Sequence, residues 1–74
     1  MAVETLDAVG LKCPQPVLRI AAKARELSTG DILEVLGDCP TFEQDVRNWA
    51  DRMNKVILSV KNDGADRRKI QIQF

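Results

Sequence analysis

Apolar and polar residues follow two different periods along the chain, which predicts short strands interleaved with two helices. Segments of four to eight residues that are rich in Val, Ile and Leu, or that alternate apolar with polar residues, are typical of strands. Apolar residues that recur every three or four positions are typical of amphipathic helices. The predicted strands are 5–9, 31–36, 55–61 and 67–74, and the predicted helices are about 14–27 and about 41–53.

The same periods predict which side chains form the core. The first helix has an apolar stripe of Val17, Leu18, Ala21, Ala24 and Leu27. The second helix has a clearer stripe of Phe42, Val46, Trp49, Ala50 and Met53, so both aromatic rings are expected in the core. The last two strands are expected to group Val56, Leu58 and Val60 on one face, and Ile70, Ile72 and Phe74 on one face.

Turn and cap residues separate these elements. Gly30 is placed for a left-handed cap after the first helix, and Thr41 is a candidate N-cap of the second helix. Asn62, Asp63 and Gly64 give a strong turn signal before the last strand. Asp7 is expected to fix the first turn by hydrogen bonds from its side chain to the backbone.

The order strand, helix, strand, helix, strand, strand predicts an α+β fold. Two helices cover only one face of so small a sheet, so we expect a two-layer sandwich. Its other face is solvated and carries residues such as Lys69, Gln71 and Gln73. The 74 residues are enough for a single domain, 1–74.

Charge and composition exclude several classes of function. Eleven basic and eleven acidic residues give no net charge, which disfavours direct binding to nucleic acid. The chain has no histidine, so the commonest general base and metal ligand is missing, and we expect neither a metal nor an organic cofactor. We expect no signal peptide and no membrane span, and two cysteines are too few for a secreted disulfide scaffold. The expected location is the cytoplasm.

Residues 10–18, with the sequence GLKCPQPVL, are the candidate site. Gly10 turns the chain, and Cys13 lies where the first helix begins, with Pro14 and Pro16 in the first turn, where prolines are tolerated. Free backbone N–H groups and the helix dipole favour the thiolate form of a cysteine there, and the neighbouring Lys12 acts in the same direction. We therefore predict a reactive, partly exposed Cys13, although a small buried side chain is the alternative interpretation.

A fainter version of this pattern follows the second predicted strand, where Cys39 and Pro40 precede the second helix. If the first two strands are parallel neighbours, both cysteines lie at the same edge of the sheet, about 5–10 Å apart given the usual strand spacing. Cys39 is either a small turn residue or a resolving thiol that attacks a Cys13 persulfide or forms a disulfide with Cys13.

The residue types present limit the possible reactions to those that need only a nucleophilic sulfur atom. Cys13-Pro14-Gln15-Pro16 is not a Cys-x-x-Cys dithiol motif, and without histidine no Cys–His pair is available. Acceptance of a sulfur atom as a persulfide, and its transfer to another thiol, is chemistry that fits these limits.

Leu6-Asp7 followed by residues 10–18 resembles the signature of the TusA/SirA-like sulfur-carrier family, whose hallmark is Cys-Pro-x-Pro at the start of the first helix. The resemblance implies a β-α-β-α-β-β sandwich with a four-stranded mixed sheet, and a persulfide on Cys13. It also implies a donor protein, either a cysteine desulfurase or a rhodanese-like protein, and an acceptor protein in transfer-RNA thiolation, molybdenum-cofactor synthesis or sulfur oxidation. The presence of Cys39 departs from many members of this family.

Two other functions stay open at this point. One is a redox switch based on a Cys13–Cys39 disulfide, and the other is an adaptor or regulatory module without thiol chemistry. Two basic clusters are either solvated charge or docking surfaces for a partner, namely Lys12, Arg19 and Lys23, and Arg67, Arg68 and Lys69. We expect a monomer.

Overall fold

Two helices and four strands occur in the predicted order in a computed structural model that describes residues 3–12, 15–62, 64 and 66–74. The elements are β1 (Val3–Asp7), α1 (Gln15–Ala24), β2 (Ile32–Gly37), α2 (Phe42–Arg52), β3 (Val56–Asn62) and β4 (Arg68–Gln73). β1 begins and ends two residues earlier than predicted, and α1 ends three residues earlier. The other boundaries agree with the prediction to within one residue.

The four strands form one mixed sheet in the order β1-β2-β4-β3. β1 and β2 are parallel neighbours, with Asp7 opposite Leu36, whereas β4 pairs antiparallel with both β2 and β3. The two helices cover one face of the sheet. The predicted α+β sandwich is therefore confirmed, and so is the parallel pairing that the location of the site depends on.

A single apolar core lies between the sheet and the helices. Its buried members are Ala8, Ile20, Leu33, Val35, Phe42, Val46, Trp49, Ala50, Ile70 and Ile72. Phe42 and Trp49 are both buried, as predicted, and the ring of Trp49 lies 6.1 Å from that of Phe74 between centroids. The buried rings of Phe42 and Trp49 therefore stabilise the fold.

The predicted apolar stripe of α1 is partly wrong. Ile20 is fully buried, while the side chain of Leu18 is 62% exposed. Pro16, Ile20 and Ala24 are spaced by four residues, so the face centred on Ile20 packs against the core, and Leu18 lies about half a turn away. Met53, predicted in the stripe of α2, is also exposed because it is the C-cap residue beyond the last turn.

The predicted alternation in β3 is wrong as well. Ile57 pairs with Ile72 and Ser59 pairs with Gln71, so Leu58 is an extra residue in a β-bulge. The bulge breaks the two-residue period. As a result Ile57 and Val60 pack against the core, whereas Val56 and Leu58 are exposed.

The predicted cap residues agree with the prediction only in part. Gly30 has φ of 95° but lies six residues beyond the end of α1, and its N–H donates to the carbonyl of Phe74 at 2.7 Å. Thr41 is the N-cap of α2 as predicted, although its hydroxyl donates to the carboxylate of Asp45 at 3.1 Å and forms no capping bond with the backbone. In the predicted 62–64 turn, Gly64 has φ of 104°, and Asp63 lies outside the described residues.

Candidate functional site

The candidate site lies at the sheet edge where the parallel strands β1 and β2 both end. Residues 8–14 connect β1 to α1, and residues 38–41 connect β2 to α2. The two connections are adjacent because their strands are paired, and the backbone N–H of Ala8 donates to the carbonyl of Leu36 at 2.8 Å. In open α/β sheets this edge is the usual place for chemistry.

Hydrogen bonds fix the part of the β1–α1 connection that directly follows β1. Oδ1 of Asp7 accepts from the N–H of Val9 at 3.0 Å, which confirms the predicted role of Asp7 in this turn. The N–H of Leu11 donates to the carbonyl of Ala8 at 3.3 Å. Gly10 has φ of 88°, in the left-handed region that L side chains rarely adopt. The turn therefore needs glycine for its backbone conformation.

The start of α1 carries the residues predicted to support the nucleophile. Cys13 and Pro14 lie outside the described residues. On either side of them, the N–H of Gln15 donates to the carbonyl of Lys12 at 2.8 Å. Pro16 is the second residue of α1 and is buried, in agreement with its predicted place in the first turn, and Lys12 is exposed.

Cys39 lies in the second connection, three residues before the start of α2. Its side chain is half-buried, and its Sγ lies 3.6 Å from Oγ1 of Thr41. Its carbonyl accepts from the N–H of Phe42 at 3.0 Å. The sulfur of Cys39 is disulfide-bonded.

A contact between the two connections was not predicted from the sequence. The N–H of Gly10 donates to Oδ1 of Asp38 at 3.0 Å, across 28 positions of sequence. We call this contact the Gly10–Asp38 latch. Asp38 directly precedes Cys39, so the latch joins the turn before Cys13 to the turn that carries Cys39. An Asp is common in turns because its side chain bonds to nearby backbone groups, so the sequence around Asp38 indicates a turn but not a hydrogen bond to the distant Gly10.

An open cavity of about 450 Å³ lies beside Cys39. It is lined by Asp38, Cys39, Pro40, Glu43, Asp66 and Arg68. Glu43 Oε2 accepts from Arg47 Nε at 3.0 Å, and Glu43 Oε1 lies 3.9 Å from Arg68 Nε. Since the lining contains three carboxylates and one guanidinium, the approach to Cys39 is predominantly acidic.

Some members of the two predicted basic clusters, namely Lys23, Arg68 and Lys69, make ion pairs within the chain. Lys23 Nζ lies 3.2 Å from Glu4 of β1 and 3.7 Å from Glu26. The hydrogen bond to Glu4, followed by the charge of Glu26, raises the pKa of Lys23 above its ordinary value. Arg68 and Lys69 are each 3.9 Å from a carboxylate, those of Glu43 and Glu34. These side chains therefore contribute to the fold as well as to the surface charge.

Similarity to known proteins identifies the family. The family model for the sulfurtransferase TusA matches residues 4–73. The chain belongs to the TusA sulfurtransferase family. The crystal structure of a SirA-like protein from Desulfitobacterium hafniense superimposes with a TM-score of 0.83 and 27% identity, covering 95% of each chain. The resemblance stated from residues 10–18 is thereby confirmed.

A curated relative of this TusA-family chain is a putative sulfur carrier protein from Aquifex aeolicus (strain VF5). The two are 39% identical over 61 residues, which is 81% of this chain. The match spans only 31% of the length of that relative.

Neither a metal-binding cluster nor a membrane-spanning helix occurs within the described residues. Across 3–12, 15–62, 64 and 66–74, no group of three or more Cys, Asp or Glu side chains is arranged to hold a metal ion. Within those same ranges, neither helix has the length and apolar character needed to cross a membrane.

Proposed function

We propose that this TusA-family chain is a sulfur carrier that accepts sulfane sulfur on Cys13 and passes it to an acceptor protein. The observation that carries the proposal is the family match over residues 4–73, which includes Cys13. The carrier acts in the cytoplasm, where thiols are kept reduced. Its donor is a cysteine desulfurase or a rhodanese-like protein, and its acceptor belongs to transfer-RNA thiolation, molybdenum-cofactor synthesis or sulfur oxidation.

The transfer is a pair of thiol–persulfide exchanges. The Cys13 thiolate attacks the outer sulfur of the donor persulfide, an S–S bond forms on Cys13, and the donor leaves as a thiolate. An acceptor thiolate then attacks the outer sulfur on Cys13, and the Cys13 thiolate is the leaving group. Because no electrons are gained or lost overall, the relay needs no external oxidant or reductant once the chain is in its reduced, dithiol form.

Three features of the described residues support this role. The start of α1 at Gln15 directs the positive end of the helix dipole toward the residues that precede it, which favours an anion there. Lys12 is exposed and adds positive charge beside Cys13. The hydrogen bonds of Asp7 and Gly10 fix the turn that leads into the motif. We therefore assign supporting roles to Lys12, Pro14 and Pro16.

A relay assay with purified proteins tests the proposal. Donor and acceptor proteins are mixed with radiolabelled sulfane sulfur and with the wild-type chain, Cys13→Ser or Cys39→Ser. We expect label to reach the acceptor through the wild-type chain and through Cys39→Ser, but not through Cys13→Ser. Equal transfer by a folded Cys13→Ser variant would refute the carrier role and favour an adaptor.

A reversible Cys13–Cys39 disulfide is the second candidate function. The observation that favours it is that Cys39 is disulfide-bonded, while Cys13 is the only other cysteine of the chain. Mass spectrometry after oxidation, with both cysteines mapped, distinguishes a bond within one chain from a bond between two copies.

A further inference from the structure

Cys39 is more than a small turn residue, because its sulfur is chemically engaged. It is half-buried in a fixed turn, where its carbonyl accepts from the N–H of Phe42, and its sulfur is disulfide-bonded. A cysteine that only fills space in a turn has no need of a second sulfur within bonding reach. The bonded sulfur is thus an independent sign that Cys39 meets another thiol.

The Gly10–Asp38 latch explains how the two cysteine turns stay together. One end of the latch lies three residues before Cys13, and the other end lies directly before Cys39. The hydrogen bond from Ala8 to Leu36 holds the same two segments at their base. A carboxylate that accepts from a backbone N–H forms one of the stronger kinds of hydrogen bond. Fixed turns raise the effective concentration of one thiol next to the other.

We propose that Cys39 is a resolving thiol, which discharges a persulfide on Cys13 as hydrogen sulfide. The proposal rests on the carrier function of Cys13 proposed above. The Cys39 thiolate attacks Sγ of Cys13, an S–S bond forms between the two cysteines, and the bond from Cys13 to its outer sulfur breaks. Hydrosulfide leaves and takes up a proton, so the sulfane sulfur is reduced to sulfide while the two cysteines are oxidised to a disulfide.

The carrier returns to its starting state by thiol–disulfide exchange with a dithiol reductant protein. That protein becomes a disulfide, and both cysteines of the carrier become thiols again. The open cavity beside Cys39 gives a path for sulfide to leave. Its lining has three carboxylates, Asp38, Glu43 and Asp66, against the one guanidinium of Arg68, and this excess of negative charge disfavours retention of an anion such as hydrosulfide. Discharge by Cys39 therefore limits the time for which an undelivered sulfane sulfur stays on the carrier.

The test compares the lifetime of the persulfide in the wild-type chain with that in Cys39→Ser and Cys39→Ala. Each protein is reduced, loaded from a persulfide donor, freed of the donor and followed by sulfide release and intact mass. We expect the wild-type chain to release sulfide at least about tenfold faster than both variants, because the attack is intramolecular. It should end as a monomer two hydrogens lighter than the dithiol form.

The three ways in which this test can fail are distinguishable. If the variants load sulfur and the wild-type chain keeps it for as long as they do, the resolving role is refuted and the carrier role stands. A disulfide found only between two copies also refutes the resolving role. If no folded variant takes up sulfur, the carrier role fails, and the resolving role fails with it.

The latch is tested by the same readout, with Asp38 as a positioning residue. Asp38→Ala removes the acceptor for Gly10 and should slow sulfide release by about tenfold. Asp38→Asn keeps an oxygen that can accept from Gly10 and should restore most of the rate. Asp51→Ala, the same change on an exposed position of α2, should release sulfide at the wild-type rate. A wild-type rate in Asp38→Ala would overturn the positioning role.

Discussion

The backbone N–H of Gly10 and the carboxylate of Asp38 form a 3.0 Å hydrogen bond that joins the connection after β1 to the connection after β2. Because these strands are parallel neighbours, both connections emerge at one edge of the sheet. The latch fixes the two connections relative to each other, directly beside the turn that carries Cys39. The fold therefore brings together two segments that are far apart in sequence.

The conformation of Gly10 gives the first prediction. Gly10→Ala should lower the free energy of unfolding by about 1 kcal/mol, because an L residue is disfavoured at a φ of 88°, although a Cβ there would meet nothing within 4 Å. The sulfur-transfer rate should fall as well, since the turn leads into Cys13. Urea unfolding and the relay assay measure the two effects.

Gly64 is a matched control for Gly10. It also has a positive φ, of 104°, and a Cβ at this position would meet nothing within 4 Å, but it lies in the connection between β3 and β4. Gly64→Ala should lower the free energy of unfolding by a similar amount and leave the rate of sulfur transfer unchanged. Equal losses of transfer in both variants would show that the effect of Gly10→Ala is general destabilisation.

Gly37 gives a second prediction, which rests on close packing. A Cβ on Gly37 would lie 2.7 Å from ring atoms of Phe42, and that ring is buried. Gly37→Ala should therefore destabilise the protein by about 1–3 kcal/mol, the usual range for overpacking a core. Urea unfolding measures the loss. Adding Phe42→Leu should recover part of it, and a strictly additive double variant would contradict the steric explanation.

A third prediction concerns the two apolar residues of α1 that differ most in burial. Ile20→Ala should cost about 2–5 kcal/mol because it leaves a cavity in the core. Leu18→Ala should change stability by no more than about 0.5 kcal/mol because the Leu18 side chain is mostly exposed. Thermal unfolding separates the two variants, since about 1 kcal/mol shifts Tm by roughly 4–8 °C in a domain of this size. Comparable losses of stability in Ile20→Ala and Leu18→Ala would contradict the assignment of the buried face of α1.

The element order and layer arrangement were predictable from the sequence because they depend on local periods and on turn residues. The details that failed depend on tertiary contacts. Ile20 and Leu18 are equally apolar, and only the packing of α1 on the sheet decides which one is buried. The bulge at Leu58 is set by the pairing of β3 with β4, to which the sequence of β3 alone gives no guide.

The candidate site was predictable to a similar extent. The hydrogen bond of Asp7 to the turn was predicted because it is local, and the common edge of the two cysteine turns was predicted from the strand and helix order. The role of Asp38 could not be predicted, since its partner Gly10 is 28 residues away. Such a pair becomes visible only when the register of β1 against β2 is known.

The raised pKa of Lys23 gives a fourth prediction. The hydrogen bond to Glu4 stabilises the charged form in the folded state, so this contribution is complete below the ordinary lysine pKa of about 10.4 and is lost as pH rises through the higher folded value. Lys23→Met should therefore be less stable than wild type at neutral pH, and the difference should shrink as the pH rises above the ordinary lysine pKa. Urea unfolding at neutral and at alkaline pH measures it.

Lys61→Met is the control for this pH dependence. Lys61 is an exposed lysine on β3, at the opposite edge of the sheet from β1 and Glu4. Its removal should not reproduce the stability difference at neutral pH. A Lys23→Met difference that persists unchanged at high pH would show that packing of the lysine stem, and not its charge, is responsible.

The most direct test of the central claim is to locate the sulfur on the protein itself. Cys39→Ser is reduced, incubated with a persulfide donor, alkylated and digested, and the peptide that contains Cys13 is analysed by mass spectrometry. The account predicts that this peptide gains one sulfur atom, and that a later incubation with an acceptor thiol removes it. A folded protein whose Cys13 peptide gains no sulfur, under conditions in which the donor loads a known carrier, would contradict the account.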